Sequence, residues 1–305
     1  VTEVVAALDC GSNSTRLLID DDGVARRREM RITRLSQGVD ASGRLVDAAM
    51  ARSFAVLEQY RALMDEAGVT RGLLVATSAV RDARNGEEFL ERARDISGVE
   101  ARILTGLEEA TLSYDGATAD LDADGRVTVI VDVGGGSTEL AMKHDGELRS
   151  YSMQLGCVRV SERALGRDVV TPEGDARARV MIEAELDRAF ASVPAFTQVV
   201  GDVRLVGLAG TVSTLAQLDA GLAQYDREAV HHRRLGQGTV RHWRERLAGE
   251  SPGVRLAHPG MVAGREDVLV AGLYVLDAVM DRLGVDELLA SENDILDGIV
   301  MMLRR

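Results

Sequence analysis

Asp132-Val133-Gly134-Gly135-Gly136-Ser137-Thr138-Glu139 decides the reading of this chain, because Asp9-Cys10-Gly11-Ser12-Asn13-Ser14-Thr15-Arg16 says nearly the same thing 123 positions earlier. Each copy follows an apolar β-type run, Val4 to Leu8 and Val127 to Val131. Each leads into a second such run, Leu17 to Ile19 and Leu140 to Met142. The repeated unit reads strand, small-residue turn, strand, with an acid at the end of the first strand. A turn of glycines and hydroxyl residues lets backbone N–H groups approach an anion, since no Cβ stands in the way. An aspartate beside it suits Mg2+, which prefers a few carboxylates together with phosphate oxygens. Two such turns facing each other predict a clamp on a chain of phosphates.

Outward from the first copy, residues 3–35 read as a β-meander with a turn at Asp20-Asp21-Asp22-Gly23. Asp47 opens a helix that Gly68 closes, with Met50, Phe54, Leu57 and Met64 at helical spacing. Leu73 to Ala76 is a short buried strand that runs into a polar connector over 77–82. Asn85 caps a helix ending at Gly98, and Ala101 to Leu104 is a strand before a helix that begins near Leu107. Asp122-Ala123-Asp124-Gly125 reads as a hinge, which gives domains of residues 1–123 and 124–305. The second half restarts the programme with a hairpin at Asp145-Gly146 and a helix from Thr171-Pro172-Glu173. A strand over Arg204 to Leu208, a long helix from about Arg265 to Leu283 and a strand over Glu287 to Ala290 follow. A closing helix over 294–305 can pack back on the first domain. A β-rich start followed by alternating strand and helix is an α/β pattern.

The totals exclude several classes. A chain of 305 residues is long enough for two domains with their own cores. The net charge of −13 and an aromatic content of 3% oppose unspecific nucleic-acid binding and a stacking platform, so no DNA or RNA partner is expected. No long uncharged apolar run predicts a membrane helix, and no basic-then-apolar stretch predicts a secretory signal. Cys10 and Cys157 lack metal-ligand spacing, which fits a reducing cytoplasm.

Taken together, Asp9 to Arg16, Thr105-Gly106-Leu107-Glu108-Glu109-Ala110, Asp132 to Glu139 and Gly207-Leu208-Ala209-Gly210-Thr211 resemble the signature of the actin-like ATPase superfamily. Within it, the wording resembles the exopolyphosphatase and guanosine pentaphosphate phosphatase (Ppx/GppA) family. Leu155-Gly156-Cys157-Val158-Arg159 and Asp294-Ile295-Leu296-Asp297-Gly298 are similar to that family as well. The resemblance implies an α/β fold of two ribonuclease-H-like domains with an interdomain active-site cleft. It implies hydrolysis of a terminal phosphoryl group from inorganic polyphosphate or from guanosine pentaphosphate, with Mg2+ or Mn2+ as cofactor. It also implies a cytoplasmic enzyme, with homodimers common among its relatives. The likeness is to the short members, which points to short polyphosphate chains. A small-molecule kinase of the same superfamily and a non-catalytic polyphosphate or alarmone sensor are the alternatives.

Phosphoanhydride hydrolysis needs charge neutralisation, in-line geometry and a group that orients water. Gly11, Ser12, Asn13, Ser14, Gly134, Gly135, Gly136 and Ser137 are the expected phosphate cradle. Asp132 is the first candidate for a metal-linked carboxylate and Asp9 the second. Glu108 and Glu109 compete for the base. Thr105 to Glu108 fits a capping box, which gives Glu108 a structural role and favours Glu109. Glu139 stands where the first copy has Arg16, which makes Glu139 a second metal or water partner and Arg16 a phosphate contact. Arg81 and Arg265 are candidates to bridge phosphate oxygens bidentately, with a surface salt bridge as the alternative for each. Gly210 and Thr211 read as a helix start with an exposed dipole, a ready anion site. His231 and His232, being adjacent, are read as solvent-exposed, and both cysteines as small fillers.

Overall fold

A computed structural model of the chain describes residues 3–305. They divide into two compact units, one running to Ala119 and including Asp294–Arg305, the other Asp120–Asn293. The boundary therefore lies at 119/120 rather than at 123/124, and residues 294–305 belong to the first unit. Side-chain bonds explain the shift. Arg204 binds the carbonyl of Asp122 and His231 binds Asp120, so residues 120–124 are fastened to the second unit.

In the first unit the strands are β1 (Val4–Cys10), β2 (Ser14–Asp21), β3 (Val24–Ile32), β4 (Arg71–Ala76) and β5 (Glu100–Ile103). The sheet order is β3-β2-β1-β4-β5. The first three strands form the antiparallel meander, while β4 and β5 run parallel to β1. β1 is apolar at nearly every position because both faces are covered. Its even residues, Ala6, Leu8 and Cys10, pack with Phe54, Leu57, Tyr60 and Phe89 from the helices Asp47–Glu66 and Gly86–Ser97. Its odd residues, Val5 and Ala7, pack with Leu112 from the helix Gly106–Thr118 and with Ile295, Leu296 and Ile299 from the helix Ile295–Leu303.

Those last two helices touch backbone to backbone. A Cβ on Gly116 would overlap the Asp294 carbonyl, and one on Gly298 would overlap the Leu112 carbonyl. Neither obstacle is a side-chain end that can swing away, so the helices would have to part. We expect Gly298→Ala to destabilise the protein by about 3 kcal/mol, read as a fall in the urea unfolding midpoint. Gly238 lies in the helix Gln237–Ala248 with open space where its Cβ would stand. Gly238→Ala should instead be neutral or stabilising by up to about 1 kcal/mol.

The second unit repeats the plan with β6 (Val127–Val133), β7 (Thr138–His144), β8 (Glu147–Met153), β9 (Val203–Leu208), β10 (Arg234–Gly236) and β11 (Glu287–Ala290). Its order is β10-β11-β9-β6-β7-β8. Read from the β8 edge this is the ribonuclease-H-like order of the first unit with one antiparallel strand, β10, added beyond it. Both meanders turn on a matching Asp-Gly pair with positive φ, Asp22-Gly23 (54° and 86°) and Asp145-Gly146 (53° and 79°). That is the backbone a two-residue hairpin requires.

Several boundaries differ from the sequence reading. Asn85 does not cap its helix; its side chain spans a loop, accepting from Leu45 N–H at 2.8 Å and donating to Leu45 C=O at 3.0 Å. The long helix begins at Leu269, not Arg265, because residues 265–268 close a tight turn through Val268 N–H to Arg265 C=O. Among the described residues no helix is long and apolar enough to cross a membrane.

Candidate functional site

The two glycine turns are geometrically equivalent. Gly11 N–H bonds Ser14 C=O at 3.0 Å, and Gly134 N–H bonds Ser137 C=O at 3.0 Å. Their carbonyls are tied to backing segments. Thr33 and Arg34 N–H both donate to Asn13 C=O, and Ser36 N–H donates to Ser12 C=O. In the second unit Cys157 donates to Gly134 C=O, while Val158 and Arg159 both donate to Gly135 C=O. Gly156 lies so close to Gly135 and Gly136 that a Cβ would collide with their backbone. Among the described residues no backbone bond draws on the N–H groups of Ser12, Asn13, Gly135 or Gly136. The turns are thus held from behind through their acceptors, and these four donors are unspent among the described residues. The backing role of residues 155–159 is a function of that motif which sequence reasoning did not assign.

Each turn is flanked by one cross-strand pair, and here the repeats part company. Asp9 on β1 stands opposite Arg16 on β2, and Asp132 on β6 stands opposite Glu139 on β7. Arg16 closes on its neighbour, with Nη2 2.6 Å and Nε 3.0 Å from Asp9 Oδ2, and also pairs with Asp294, the cap of the helix Ile295–Leu303. Arg28 extends the network to Asp297. Burial pushes the Asp9 carboxyl above its usual range, Arg16 works against that shift, and the charge of Asp294 adds to it. In this structure Arg16 is therefore an internal ion-pair partner, and Asp9 is neutralised by a cation of the protein itself. In the row through Asp132 and Glu139 the residue opposite the aspartate is itself an acid. The row ends on Ser152 of β8, paired with Glu139 in register, whose Oγ donates to Glu139 Oε1 at 2.6 Å. Glu139 is buried. Two carboxylates directly opposite on neighbouring strands repel, and a hard divalent cation is the kind of group that relieves this.

In the first unit a chain of contacts leads from the turn to the candidate base. Ser12 Oγ lies 3.0 Å from Ser78 Oγ, at the start of the short helix Ser78–Arg81. Arg81 Nη1 then reaches Glu109 Oε2 at 3.1 Å and Leu104 C=O at 2.9 Å. Glu109 is buried, only 8% exposed. Glu108 behaves as the capping box predicts: Thr105 Oγ1 accepts from Glu108 N–H, and Glu108 Oε2 takes both the N–H and the hydroxyl of Thr105 at 2.8 Å. Those bonds hold the Glu108 carboxyl below its usual range. The geometry thus places Glu109 against Arg81 and turns Glu108 back onto its own helix end.

The glycine motif of the second unit differs from its reading. Thr211 is not a cap. The helix runs Ala209–Ala220, and Thr211 is buried inside its first turn, where Gly272 leaves room for it. The guanidinium of Arg265 covers Gly210, where any Cβ would overlap it. Arg265 is itself buried, so the structure does bring Arg265 and Gly210 together, at the start of that helix. Ala209, with φ 64°, is a non-glycine residue in the left-handed region at this junction, a strain that structures retain at sites under constraint. Burial pushes the Cys157 thiol up to about 11, against the opposing charge of Arg265. Burial raises Cys10 as well, so both are inert fillers rather than nucleophiles.

His231 and His232 are not solvent-exposed as their adjacency suggested. A left-handed φ of 59° at His232 folds the two rings together, with centroids 3.9 Å apart, both toward Asp120. The trio has the composition of a metal site, but its hydrogen bonds explain it otherwise. Glu292 N–H donates to His231 Nδ1 at 3.1 Å, so the ring proton sits on Nε2, where it bonds Asp120 Oδ2 at 2.8 Å. Asn293 Nδ2 donates to the same oxygen at 2.9 Å. His231 therefore fastens Asp120 and has no lone pair to offer a cation there.

Two units of ribonuclease-H-like order, each carrying a glycine turn with an acid at its strand end, define a protein of the actin-like ATPase fold. The chain belongs to the Ppx/GppA phosphatase family, whose sequence model matches residues 24–303. It is 40% identical over 316 residues to Exopolyphosphatase 2 of Mycobacterium tuberculosis, covering 98% of each chain. Among solved structures it is similar to an exopolyphosphatase-like protein (33% identity, 98% of both chains, TM-score 0.91). It is also similar to the Aquifex aeolicus member of the Ppx/GppA family (29% identity, 100% of this chain and 99% of that one, TM-score 0.79).

Proposed function

We propose that this protein hydrolyses terminal phosphoanhydride bonds, releasing orthophosphate from inorganic polyphosphate, with short chains preferred and guanosine pentaphosphate as a second substrate. The observation that carries the reading is the Arg81–Glu109 pair, joined through Ser78 to a glycine turn with unspent amide donors. The exopolyphosphatase names of its relatives support the same chemistry. The Asn13 side chain is buried with neither amide atom bonded among the described residues, and a phosphate oxygen or bound water would satisfy it.

The cross-strand acids Asp132 and Glu139 fit a divalent cation, whereas Asp9 is committed to Arg16. Bound there, Mg2+ or Mn2+ would neutralise phosphate oxygens. The chain's own residues do the rest. In the first unit the amides of Ser12 and Asn13 are donors for phosphate oxygens; in the second unit those of Gly135 and Gly136 are, and Arg265 beside Gly210 is a cation of that unit. Glu109 takes a proton from water as the water oxygen bonds the terminal phosphorus. The bridging P–O bond breaks with its electron pair going to the shortened chain, and the proton then passes from Glu109 to solvent. The test is phosphate release from short polyphosphate, long polyphosphate and guanosine pentaphosphate with Mg2+ or Mn2+ present. Release is expected fastest from short polyphosphate; no release from any of the three overturns the assignment.

A further inference from the structure

Arg81 spends only one of its three nitrogens on the protein. Nη1 makes both contacts, with Glu109 Oε2 and with the Leu104 carbonyl, and among the described residues no bond uses Nε or Nη2. The side chain is 24% exposed, so that remaining edge is neither sealed in apolar packing nor fully hydrated. A guanidinium is planar and rigid, and its edges bind two groups at a fixed spacing and angle. The Nη1 contacts are also placed with economy. Leu104 immediately precedes Thr105, the cap of the helix that carries Glu109, so one nitrogen fixes both the start of that helix and the carboxylate on its first turn. On its other side, the helix Ser78–Arg81 is tied to the first glycine turn through Ser78 and Ser12.

We propose that Arg81 is a bridging residue that sets the distance between base and substrate: Nη1 holds Glu109, and the Nε/Nη2 edge binds an oxygen pair of the terminal phosphoryl group. This rests on the hydrolase reading above and adds to it a division of labour within one side chain. The guanidinium cancels the repulsion between the glutamate and the phosphate, both anionic. It also keeps them apart by its own width, which leaves the intervening space to the attacking water. A lysine at this position carries the charge but has no second edge, so it can satisfy one partner at a time.

A double-mutant cycle with Glu109→Gln tests it. Substrate binding is measured as the Kd for short-chain polyphosphate, and chemistry as kcat. If Arg81 bridges, Arg81→Ala lowers kcat about 100-fold in the wild-type background and has little further effect on kcat in the Glu109→Gln background, because the glutamine it then holds cannot take a proton. The Kd rises about tenfold in both backgrounds, because the phosphate edge is lost in both. Arg81→Lys, which keeps the charge, should recover most of the binding and little of the kcat. A Kd unchanged by Arg81→Ala shows that the arginine does not touch substrate and overturns the proposal. An undiminished kcat effect in the Glu109→Gln background shows that it does not act through the base, and overturns it too. Because the Kd arm needs no turnover, a chain that binds polyphosphate with this pattern but releases no phosphate refutes the hydrolase reading and leaves the phosphate edge standing. Should Arg81→Ala not fold, Arg81→Lys in both backgrounds decides: loss of kcat with retained Kd supports the bridge, and retention of both removes it.

Discussion

Glu109→Gln is expected to lower kcat by 10²–10⁴-fold, the usual worth of a positioned general base, while leaving substrate affinity within about threefold. Glutamine is nearly isosteric, and its amide oxygen can still accept from Arg81 Nη1, so the helix start and the arginine stay in place. What it lacks is a lone pair basic enough to take a proton from water. The control is the neighbouring residue. Glu108→Ala removes the carboxylate that closes the capping box with Thr105, at a cost of about 0.5–1 kcal/mol in stability, and should leave kcat within about twofold. The pH dependence of that capping contribution has a definite sign. The Thr105 bonds depress the Glu108 carboxyl in the folded state, so the contribution is present at neutral pH and is lost as pH falls below about 4.5 and through the depressed value. Steady-state rates on polyphosphate and urea midpoints for the two variants separate the roles. A Glu109→Gln enzyme with more than a tenth of wild-type kcat would assign the base elsewhere.

Much of this was legible in the sequence, and the parts that were not have a common cause. The repeated strand-turn-strand units are local: their signal lies in glycines, hydroxyls and apolar runs within about fifteen residues. Both turns, both Asp-Gly hairpins and the capping box at Thr105 follow from such short-range rules. Partner choice is not local. Arg16 reads as a phosphate contact in sequence because nothing nearby shows that Asp294, 278 positions away, takes its other side. His231 and His232 read as exposed because adjacency in a helix would separate them, and only the left-handed backbone at His232 brings the rings together. Thr211 reads as a cap because a hydroxyl before an apolar run is the common signature, yet its helix begins two residues earlier, at Ala209. Ser152 gave no signal at all. It became visible only when register placed it beside Glu139, in the row where the first unit has Met30 beside Arg16.

Each unit places an aspartate at the end of its central strand, and the residue opposite decides what the aspartate can do. Arginine opposite Asp9 supplies the positive charge from within the chain. Glutamate opposite Asp132 adds a second anion instead, and under the function proposed above the divalent ion is assigned to that row. Asp132→Asn is therefore expected to raise the Kd for Mn2+ about tenfold to 100-fold and to lower phosphate release on the order of 100-fold at fixed metal, with partial recovery as metal is raised. Asp9→Asn should leave the Mn2+ Kd within about twofold, since Arg16 already answers that carboxylate. Electron paramagnetic resonance titration of free Mn2+ reads both affinities without requiring turnover. Equal weakening by the two substitutions would remove the distinction drawn between the two aspartates, and an unchanged affinity in Asp132→Asn would mean that the metal does not bind at Asp132.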